Sequence, residues 1–117
     1  MEYTVKEIAT LSGVTIKTLH HYHKIGLLVP CRITDVGYRL YGQHELERLQ
    51  EILFYRELDF SLSDIKKALE DETSRMECLT KQHEMLKARK QRMEQLLSTI
   101  EESIIFTKKD QLSKVNR

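Results

Sequence analysis

A heptad repeat in the C-terminal half constrains the fold of this 117-residue chain more than any other feature. The repeat runs from residue 76 to residue 104 in unbroken steps of three and four residues, and nothing between residue 75 and about residue 107 breaks a helix. At 1.5 Å per residue this predicts a rod roughly 50 Å long. The predicted coiled-coil dimer interface consists of Met76, Leu79, His83, Leu86, Lys90, Met93, Leu97, Ile100 and Ile104.

Two residues of this repeat, His83 and Lys90, are polar. The simpler interpretation is that they lie at a frayed or solvent-reached part of the interface, where the stem of Lys90 packs and its charge stays in water. The other interpretation is that they fix the register and the antiparallel orientation of the two helices.

The N-terminal residues predict two short helices joined by a tight turn. The stretch TVKE at positions 4–7 is typical of a capping box, and an apolar helix face follows it. Ser12 and Gly13 end this helix. Thr15 is a good N-cap for a second helix, which ends near Gly26.

The spacing of small and apolar residues indicates a helix-turn-helix. Ala9 lets the two helices cross closely, Gly13 permits the turn, and Leu19 fills the angle between the helices. Ile16 is expected to face the core with Leu19. The stretch CRITDVGYRLYG that follows predicts two short strands, with Gly37 in the loop between them. This hairpin makes the motif a winged helix-turn-helix.

The outer face of the second helix and the wing are predicted to form a basic, polar surface. Residues 13–41 contain four basic residues (lysine or arginine) and one acidic residue. Residues 45–74 contain four basic and nine acidic residues. Charge alone also fits an ordinary solvated surface. Duplex DNA is bound by such a face because cations pair with phosphates while hydroxyls and planar groups meet base edges. The predicted DNA contacts are Thr15, Lys17, Thr18, His21, Tyr22, Lys24, Arg32, Tyr38, Arg39 and Tyr41.

The rest of the chain predicts further helices. QHELERLQEILFYREL is amphipathic, FSLSDIKKALED predicts a shorter helix capped by Ser61, and SRME at 74–77 is a second capping box that begins the longest helix. We therefore predict a mainly all-α fold. Residues 1–71 form a winged helix-turn-helix DNA-binding domain, and residues 72–117 form the dimerisation helix and a C-terminal tail.

Several functional classes find little support. No apolar run approaches the roughly 20 residues that a membrane span requires, and the N-terminus lacks the features of a signal peptide. Cys31 and Cys78 lie far apart and form no CxxC pair, which indicates a reduced, cytoplasmic protein. No Gly-rich phosphate loop, GxSxG motif or plausible carboxylate pair is present, so we expect no enzyme.

The histidine-rich stretch His20–His23 raises the question of a metal site. His20 and His23 have the i, i+3 spacing of a ligand pair, but no carboxylate or cysteine nearby in the sequence completes a site. Imidazoles that face DNA or are partly packed are the preferred interpretation. We expect no metal and no other cofactor.

The stretches YTVKEIATLSGVTIKTLHHYHKIGLL and GYRLYGQHELERLQEILFYRELDFSLSDIKKAL closely resemble the MerR family of bacterial transcription regulators, and most closely its Mta and TipA type. The resemblance covers essentially the whole chain. It implies a homodimer that holds two winged-helix domains on an antiparallel coiled coil. It also implies activation, in which the dimer bends and untwists an over-long promoter spacer for RNA polymerase. Carried over by position, it implies all the DNA contacts named above except Lys24 and Arg32.

The sequence departs from the family pattern at four positions, which are 20, 21, 23 and 42. Many members have R-Y-Y-D where this chain has His20, His21, Tyr22 and His23, so a titratable ring replaces an arginine and an acid is missing. We expect any phosphate contact at His20 to be weaker at neutral pH. Gly42 stands where a serine commonly caps the next helix. Metal-sensing relatives pair an early cysteine with a cysteine pair beyond the rod, which is missing here, so Cys78 is expected to be an apolar filler near the seam.

The effector is left open by the sequence. Drug-sensing relatives follow the dimer helix with a ligand domain, whereas this chain ends about ten residues after the predicted rod. It is a piece of a longer regulator, a short member that senses through its helix ends, or one that activates constitutively. A coiled-coil interaction module without promoter activity is the alternative class. Contacts of several lysines and arginines with DNA weaken steeply between ~50 and ~200 mM salt, whereas contacts through an apolar seam do not.

Overall fold

The structure of the chain, a computed structural model, describes residues 1–115, which form helices and one small sheet. The predicted fold class is confirmed. Residues 116 and 117 of the predicted C-terminal tail lie outside the described residues. In chain order the elements are β1 (Tyr3–Thr4), α1 (Val5–Ser12), α2 (Ile16–Lys24), β2 (Arg32–Ile33), β3 (Arg39–Tyr41), α3 (Gln43–Glu57), α4 (Leu62–Ala68) and α5 (Glu72–Val115).

The contacts divide the chain into two units, Met1–Cys78 and Leu79–Arg117. The first unit holds β1 to α4 and the beginning of α5. The second unit holds the rest of α5. The predicted domain boundary lies where α5 begins, and the assignment of the two parts to DNA binding and dimerisation stays a prediction.

The caps of α1 and α2 build the predicted helix-turn-helix. The Thr4 hydroxyl accepts from the Glu7 N–H at 3.1 Å, and the Glu7 carboxylate accepts from the Thr4 N–H at 3.0 Å, which confirms the capping box. Gly13 ends α1 with φ 70°, a left-handed conformation that favours glycine. Thr15 caps α2 by accepting from the Thr18 N–H at 3.0 Å.

Leu19 lies fully buried, as predicted, where α1 and α2 meet. Truncating such a side chain to alanine costs about 2–5 kcal/mol, because the cavity collapses only in part. The prediction that Ile16 faces the core is wrong, since this side chain is 39% exposed at the start of α2. The buried face of α2 runs instead through Leu19 and Tyr22, which are three residues apart.

The sheet has β3 at its centre, with β1 and β2 antiparallel on either side. Arg32 pairs with Leu40 and Ile33 pairs with Arg39, which confirms the predicted hairpin. Gly37 in the connecting loop has φ 90°. The strand β1, which pairs Tyr3–Thr4 with β3, was not predicted.

The long helix α5 begins earlier and ends later than predicted. Its cap is Asp71, whose carboxylate accepts from the Ser74 N–H at 2.7 Å, so the prediction that Ser74 begins the helix is wrong. Hydrogen bonds from Ser74 hold the pKa of Asp71 below its usual value. The helix continues to Val115, beyond the predicted end near residue 107. The predicted caps of α4 (Ser61) and α3 (Gly42) are both present.

Candidate nucleic-acid interface

The C-terminal end of α2 is anchored by two cations from other helices. Lys66 Nζ of α4 donates to the Ile25 carbonyl at 3.0 Å, and Arg48 Nε of α3 donates to the Leu27 carbonyl at 2.8 Å. Cations at this end of a helix donate hydrogen bonds to carbonyls that have no partner within the helix, and they interact favourably with the negative end of the helix dipole. The orientation of α2 is thus tied to α3 and α4 without use of its outer face.

The outer face of α2 presents polar and cationic side chains. Thr15, Lys17, His21 and Lys24 are exposed, and Thr18 is half-buried with its hydroxyl 2.9 Å from that of Thr15. Within residues 1–115, no carboxylate is hydrogen-bonded or ion-paired to Lys17, His21 or Lys24. The Lys17 and Lys24 cations are therefore available for phosphate groups, and the His21 ring is available for a hydrogen bond.

An open cleft of about 310 Å³ runs beside this face. Arg56 of α3 contributes to it and was not predicted, because its distance along the chain hides its proximity to α2. Its Nη1 donates to the Phe60 carbonyl at 2.8 Å, which holds the guanidinium in place. The residues that line the cleft are Lys17, Thr18, His21, Tyr22, Arg56 and Leu62.

The prediction that Tyr22 faces outward is wrong. The side chain is only 5% exposed and belongs to the core of the first unit. It lies one helical turn after Leu19 and therefore on the same face of α2. Tyr22 is among the residues that line the cleft, but with so little exposed surface its ring is not a free group for a base.

The same correction applies to Tyr41, which is fully buried. Its hydroxyl has no hydrogen-bond partner within the described residues, and burial raises the pKa of this phenol. The backbone of Tyr41 pairs with that of Tyr3 in β1, and its buried side chain offers no surface for a DNA contact. Tyr38, in contrast, is 69% exposed.

Arg32 is exposed as predicted, but it is ion-paired. Its Nε lies 2.8 Å from Oε2 of Glu2, and the hydrogen bond with Arg32 lowers the pKa of Glu2 and raises that of Arg32. The prediction treated Arg32 as a free cation. Its partner comes from the N-terminus, which pairs with the wing through the unpredicted strand β1.

Arg39 of the wing is half-buried and contacts α2. Its Nε–H donates to Nδ1 of His23 at 3.0 Å, and its Nη1 lies 3.2 Å from Nε2 of His20. The sequence marks His20 and His23 as unusual, but the prediction did not connect them with Arg39. The signal that could have linked them is that positions 20 and 23 both depart from the family pattern, while the wing carries an arginine at position 39.

Cys31 is an exposed thiol that is already bonded. Its Sγ–H donates to the Leu40 carbonyl at 3.2 Å, with Glu2 Oε2 at 3.4 Å. Desolvation and the hydrogen bond with Glu2 raise the pKa of Cys31, so the thiol form prevails at neutral pH. Cys78 is buried.

Neither a metal cluster nor a membrane helix is found in residues 1–115. No group of three or more histidine, cysteine, aspartate or glutamate side chains among these residues is arranged to hold a metal ion. None of the helices described has the length and apolar character needed to cross a bilayer.

The second unit exposes an apolar stripe. Five apolar residues of the predicted seam are 39% to 59% exposed, namely Leu86, Met93, Leu97, Ile100 and Ile104. His83 and Lys90 are also exposed, Leu79 is half-buried, and Met76 in the first unit is 65% exposed. Apolar surface of this extent on one helix marks a contact surface.

Comparison with known proteins identifies the same architecture. A family model described as MerR HTH family regulatory protein matches residues 3–72, and a second, described as MerR, DNA binding, matches residues 46–103. The HTH-type transcriptional activator mta of Bacillus subtilis is 47% identical over 106 residues, which are 90% of this chain and 41% of that protein. The chain thus spans about two fifths of that relative's length.

Two solved structures are similar over most of the chain. The crystal structure of MtaN, the N-terminus of the Bacillus subtilis multidrug transporter activator, is 48% identical with a TM-score of 0.78, covering 87% of this chain and 97% of that one. The cryo-EM structure of the EcmrR–DNA complex in EcmrR-RPo is 33% identical with a TM-score of 0.83, covering 92% of this chain and 40% of that one. With a family model that matches more than half of its residues, the chain belongs to the MerR family of helix-turn-helix regulatory proteins.

Proposed function

We propose that this chain is a sequence-specific regulator of transcription that binds double-stranded promoter DNA as a homodimer. The observation that carries the proposal is the outer face of α2, where Lys17, His21 and Lys24 are exposed and bound to no carboxylate of the described residues. Such a face on a helix-turn-helix suits the major groove. A regulator of this kind acts in the cytoplasm, where bacterial DNA lies.

The contacts in this proposal divide between α2 and the wing. Lysines and arginines bind phosphates, while threonine, histidine and tyrosine groups meet base edges or sugars. Tyr22 and Tyr41 are excluded because they are buried. The proposed contacts are Thr15, Lys17, Thr18, His21, Lys24, Arg32, Tyr38 and Arg39, with Arg56 at the edge of the cleft.

Residues 72–117 are proposed to pair with the same segment of a second copy. The stripe through Leu86, Met93, Leu97, Ile100 and Ile104 is too apolar and too exposed to remain in water, and a second copy presents the same stripe. A coiled coil of this kind sets two recognition helices apart. Their separation must match about one turn of DNA, roughly 34 Å, or a multiple of it.

Activation by distortion of an over-long promoter spacer is the proposed mode of action, with RNA polymerase reached through the promoter. The relative mta is named a transcriptional activator, and EcmrR is solved on DNA in EcmrR-RPo. The proposal assigns no catalytic step to the chain.

Selection from a random duplex library tests the proposal, because such a library contains every short operator sequence and no particular promoter has to be chosen. The protein is expected to enrich a pseudo-palindromic duplex, and binding to it should weaken about 10³-fold or more between ~50 and ~200 mM salt. Enrichment of no duplex, or binding that salt leaves unchanged, would contradict the proposal. In that case the interaction-module alternative would predict dimers that persist at both salt concentrations.

The activation step is tested by transcription in vitro from a promoter that carries the selected site in an over-long spacer. The protein should stimulate this promoter. Stimulation should disappear when the spacer is shortened to the length that polymerase uses unaided. Equal stimulation of both promoters would contradict activation through spacer distortion.

A further inference from the structure

We propose that His20 and His23, as neutral imidazoles, are positioning residues that clamp Arg39 of the wing to α2, and that protonation of these imidazoles opens the clamp. Opening frees the wing from the recognition helix and lowers discrimination between DNA sequences. The inference rests on the proposed function, because it concerns the pH dependence of the same DNA-binding surface.

The hydrogen bonds define the protonation state of the two rings. Arginine stays protonated and has only donors, so each nitrogen that faces it must be an acceptor. The contacts are Arg39 Nε to His23 Nδ1 at 3.0 Å and Arg39 Nη1 to His20 Nε2 at 3.2 Å. His23 therefore carries its proton on Nε2, and His20 carries its proton on Nδ1.

No carboxylate of the described residues is bonded to this cluster. The elements that pack against α2 or β3 are α1, β1, β2 and α3. Their nearest acids in the chain are already engaged: Glu2 with Arg32, Glu7 with the Thr4 N–H, and Glu45 with the Gly42 N–H. Asp35 lies in the exposed loop of the wing, and Glu47 and Glu51 line a separate groove.

Apart from carboxylates and the Cys31 thiol, the ionisable groups on α2, the wing and the elements packed against them are basic or phenolic. Lys17, His21 and Lys24 share α2 with the two histidines, and Arg32 and Tyr38 belong to the wing. Lys6 lies on α1, Tyr3 on β1 and His44 on α3, while Arg48 is bound to the Leu27 carbonyl and Arg56 to the Phe60 carbonyl. The phenols of Tyr22, Tyr41 and Tyr55 are buried, and the Cys31 thiol is bonded to the Leu40 carbonyl. No carboxylate of the described residues is therefore bonded to His20 or His23 to compensate the charge of a protonated ring.

Protonation turns both contacts from attraction into repulsion. Each ring nitrogen that accepted from Arg39 becomes a donor, so the hydrogen bond is lost and two cations face each other at about 3 Å. The guanidinium then leaves the histidines, and the strand that carries it loses its link to α2.

Opening of the clamp is measured by discrimination between DNA sequences and not by affinity for one duplex. Two added charges strengthen the attraction to any duplex, and this general gain masks the loss of alignment. The ratio of affinities for a selected duplex and a scrambled duplex, at the same pH and salt, cancels the general gain. A fall in this ratio measures the opened clamp.

The clamp itself is observed by NMR on the free protein. A coupling across the hydrogen bond between Arg39 Nε–H and His23 Nδ1 is expected at about pH 8 and should vanish at about pH 5.5. Loss of the Arg39 signal in Arg39→Lys assigns it. No coupling at about pH 8 would overturn the inference without reference to DNA.

Two variants separate titration from structure in the DNA measurement. His20→Gln with His23→Asn supplies amide oxygens that accept from Arg39 and do not titrate. His44→Gln removes an exposed imidazole elsewhere in the same unit. Each protein is normalised to its own discrimination ratio at about pH 8.

The parent and His44→Gln are expected to lose at least about fivefold in discrimination between pH ~8 and ~5.5, since two hydrogen bonds are broken. The double variant should lose less than about twofold over this range. A constant ratio in the parent, or an equal fall in the double variant, would overturn the inference. If no duplex is enriched at about pH 8, the proposed function itself fails, and the NMR result still tells whether the clamp exists.

Discussion

Arg32 of the wing is paired with Glu2, with 2.8 Å between Nε and Oε2, although the two residues stand 30 positions apart in the chain. Both side chains are substantially exposed, so the pair adds little to stability. Its effect lies in charge, because an acid neutralises a cation on the surface proposed to meet DNA. In the proposed complex, Glu2 therefore lowers the attraction of the wing for phosphate.

Glu2→Gln is expected to raise affinity for duplex DNA about threefold to tenfold, because it releases Arg32 for a phosphate contact. The dependence of log affinity on log salt should steepen by about two, which is one contact for each protomer of the proposed dimer. Fluorescence anisotropy with the selected duplex measures both. Glu51→Gln, which removes the same charge from the groove lined by α3, serves as the control and should change affinity less than about twofold. Equal effects of the two variants would show that Arg32 does not reach DNA.

Lys17→Ala should weaken binding about tenfold or more and reduce the salt slope by about two, one for each protomer of the proposed dimer, with the same loss on selected and scrambled duplexes. The lysine is exposed on α2 and bound to no acid of the described residues, so its removal costs charge without disturbing the core. Lys109→Ala in the second unit removes an equal charge and should have no such effect. Unaltered binding by Lys17→Ala would contradict the orientation proposed for α2.

Leu97→Asp is expected to convert the proposed dimer to a monomer at micromolar concentration, since it buries a charge in the proposed seam. Sedimentation velocity measures the mass. Gln95→Asp adds the same carboxylate to the same helix at a position outside the predicted seam, and it should leave the proposed dimer intact. A Leu97→Asp variant that sediments like the parent would exclude this seam.

Tyr41→Phe should raise the free energy of unfolding by about 1 kcal/mol, because the buried hydroxyl has no hydrogen-bond partner within the described residues. Burial raises the pKa of Tyr41, so folding favours the neutral phenol. That stability is present below the unfolded value of about 10 and is lost as the pH rises through the folded value. The advantage of phenylalanine should therefore grow in alkali. Urea unfolding at about pH 7 and about pH 10.5 tests both statements, and a destabilised variant would contradict them.

Asp71→Ala should lower the melting temperature by roughly 4 °C at neutral pH, because α5 loses its cap. Hydrogen bonds from Ser74 lower the pKa of Asp71, so this stability is present above the ordinary value of about 3.9 and is lost as the pH falls through the lowered value. The difference from the parent should shrink accordingly in acid. Asp71→Asn keeps the cap without the charge and should melt near the parent at neutral pH. Scanning calorimetry between about pH 7 and about pH 3 makes the comparison.

The parts of the fold that depend on neighbours in the chain could be predicted from the sequence. The Thr4 box, the Gly13 turn, the Thr15 cap and the position of Leu19 are all local, since a cap or turn involves residues within four positions. The hairpin around Gly37 belongs to the same class. Each was predicted from residue type and spacing alone.

The errors lie where distant residues decide the outcome. Strand β1 has two residues, too few for any periodic pattern, and it forms only because β3 offers a free edge. Without β1, the burial of Tyr41 and the pairing of Glu2 with Arg32 could not be foreseen. The prediction for Tyr22 failed for a different reason. It assigned Ile16 and Leu19 to the buried face of α2, whereas that face runs through Leu19 and Tyr22.

The anchoring of α2 through the carbonyls of Ile25 and Leu27 has an evolutionary consequence. Lys66 and Arg48 donate hydrogen bonds to main-chain carbonyls, which every residue type possesses. Substitutions at Lys17, Thr18 or His21 therefore leave both hydrogen bonds intact, so the outer face of α2 can change one residue at a time while the helix keeps its attachment to α3 and α4.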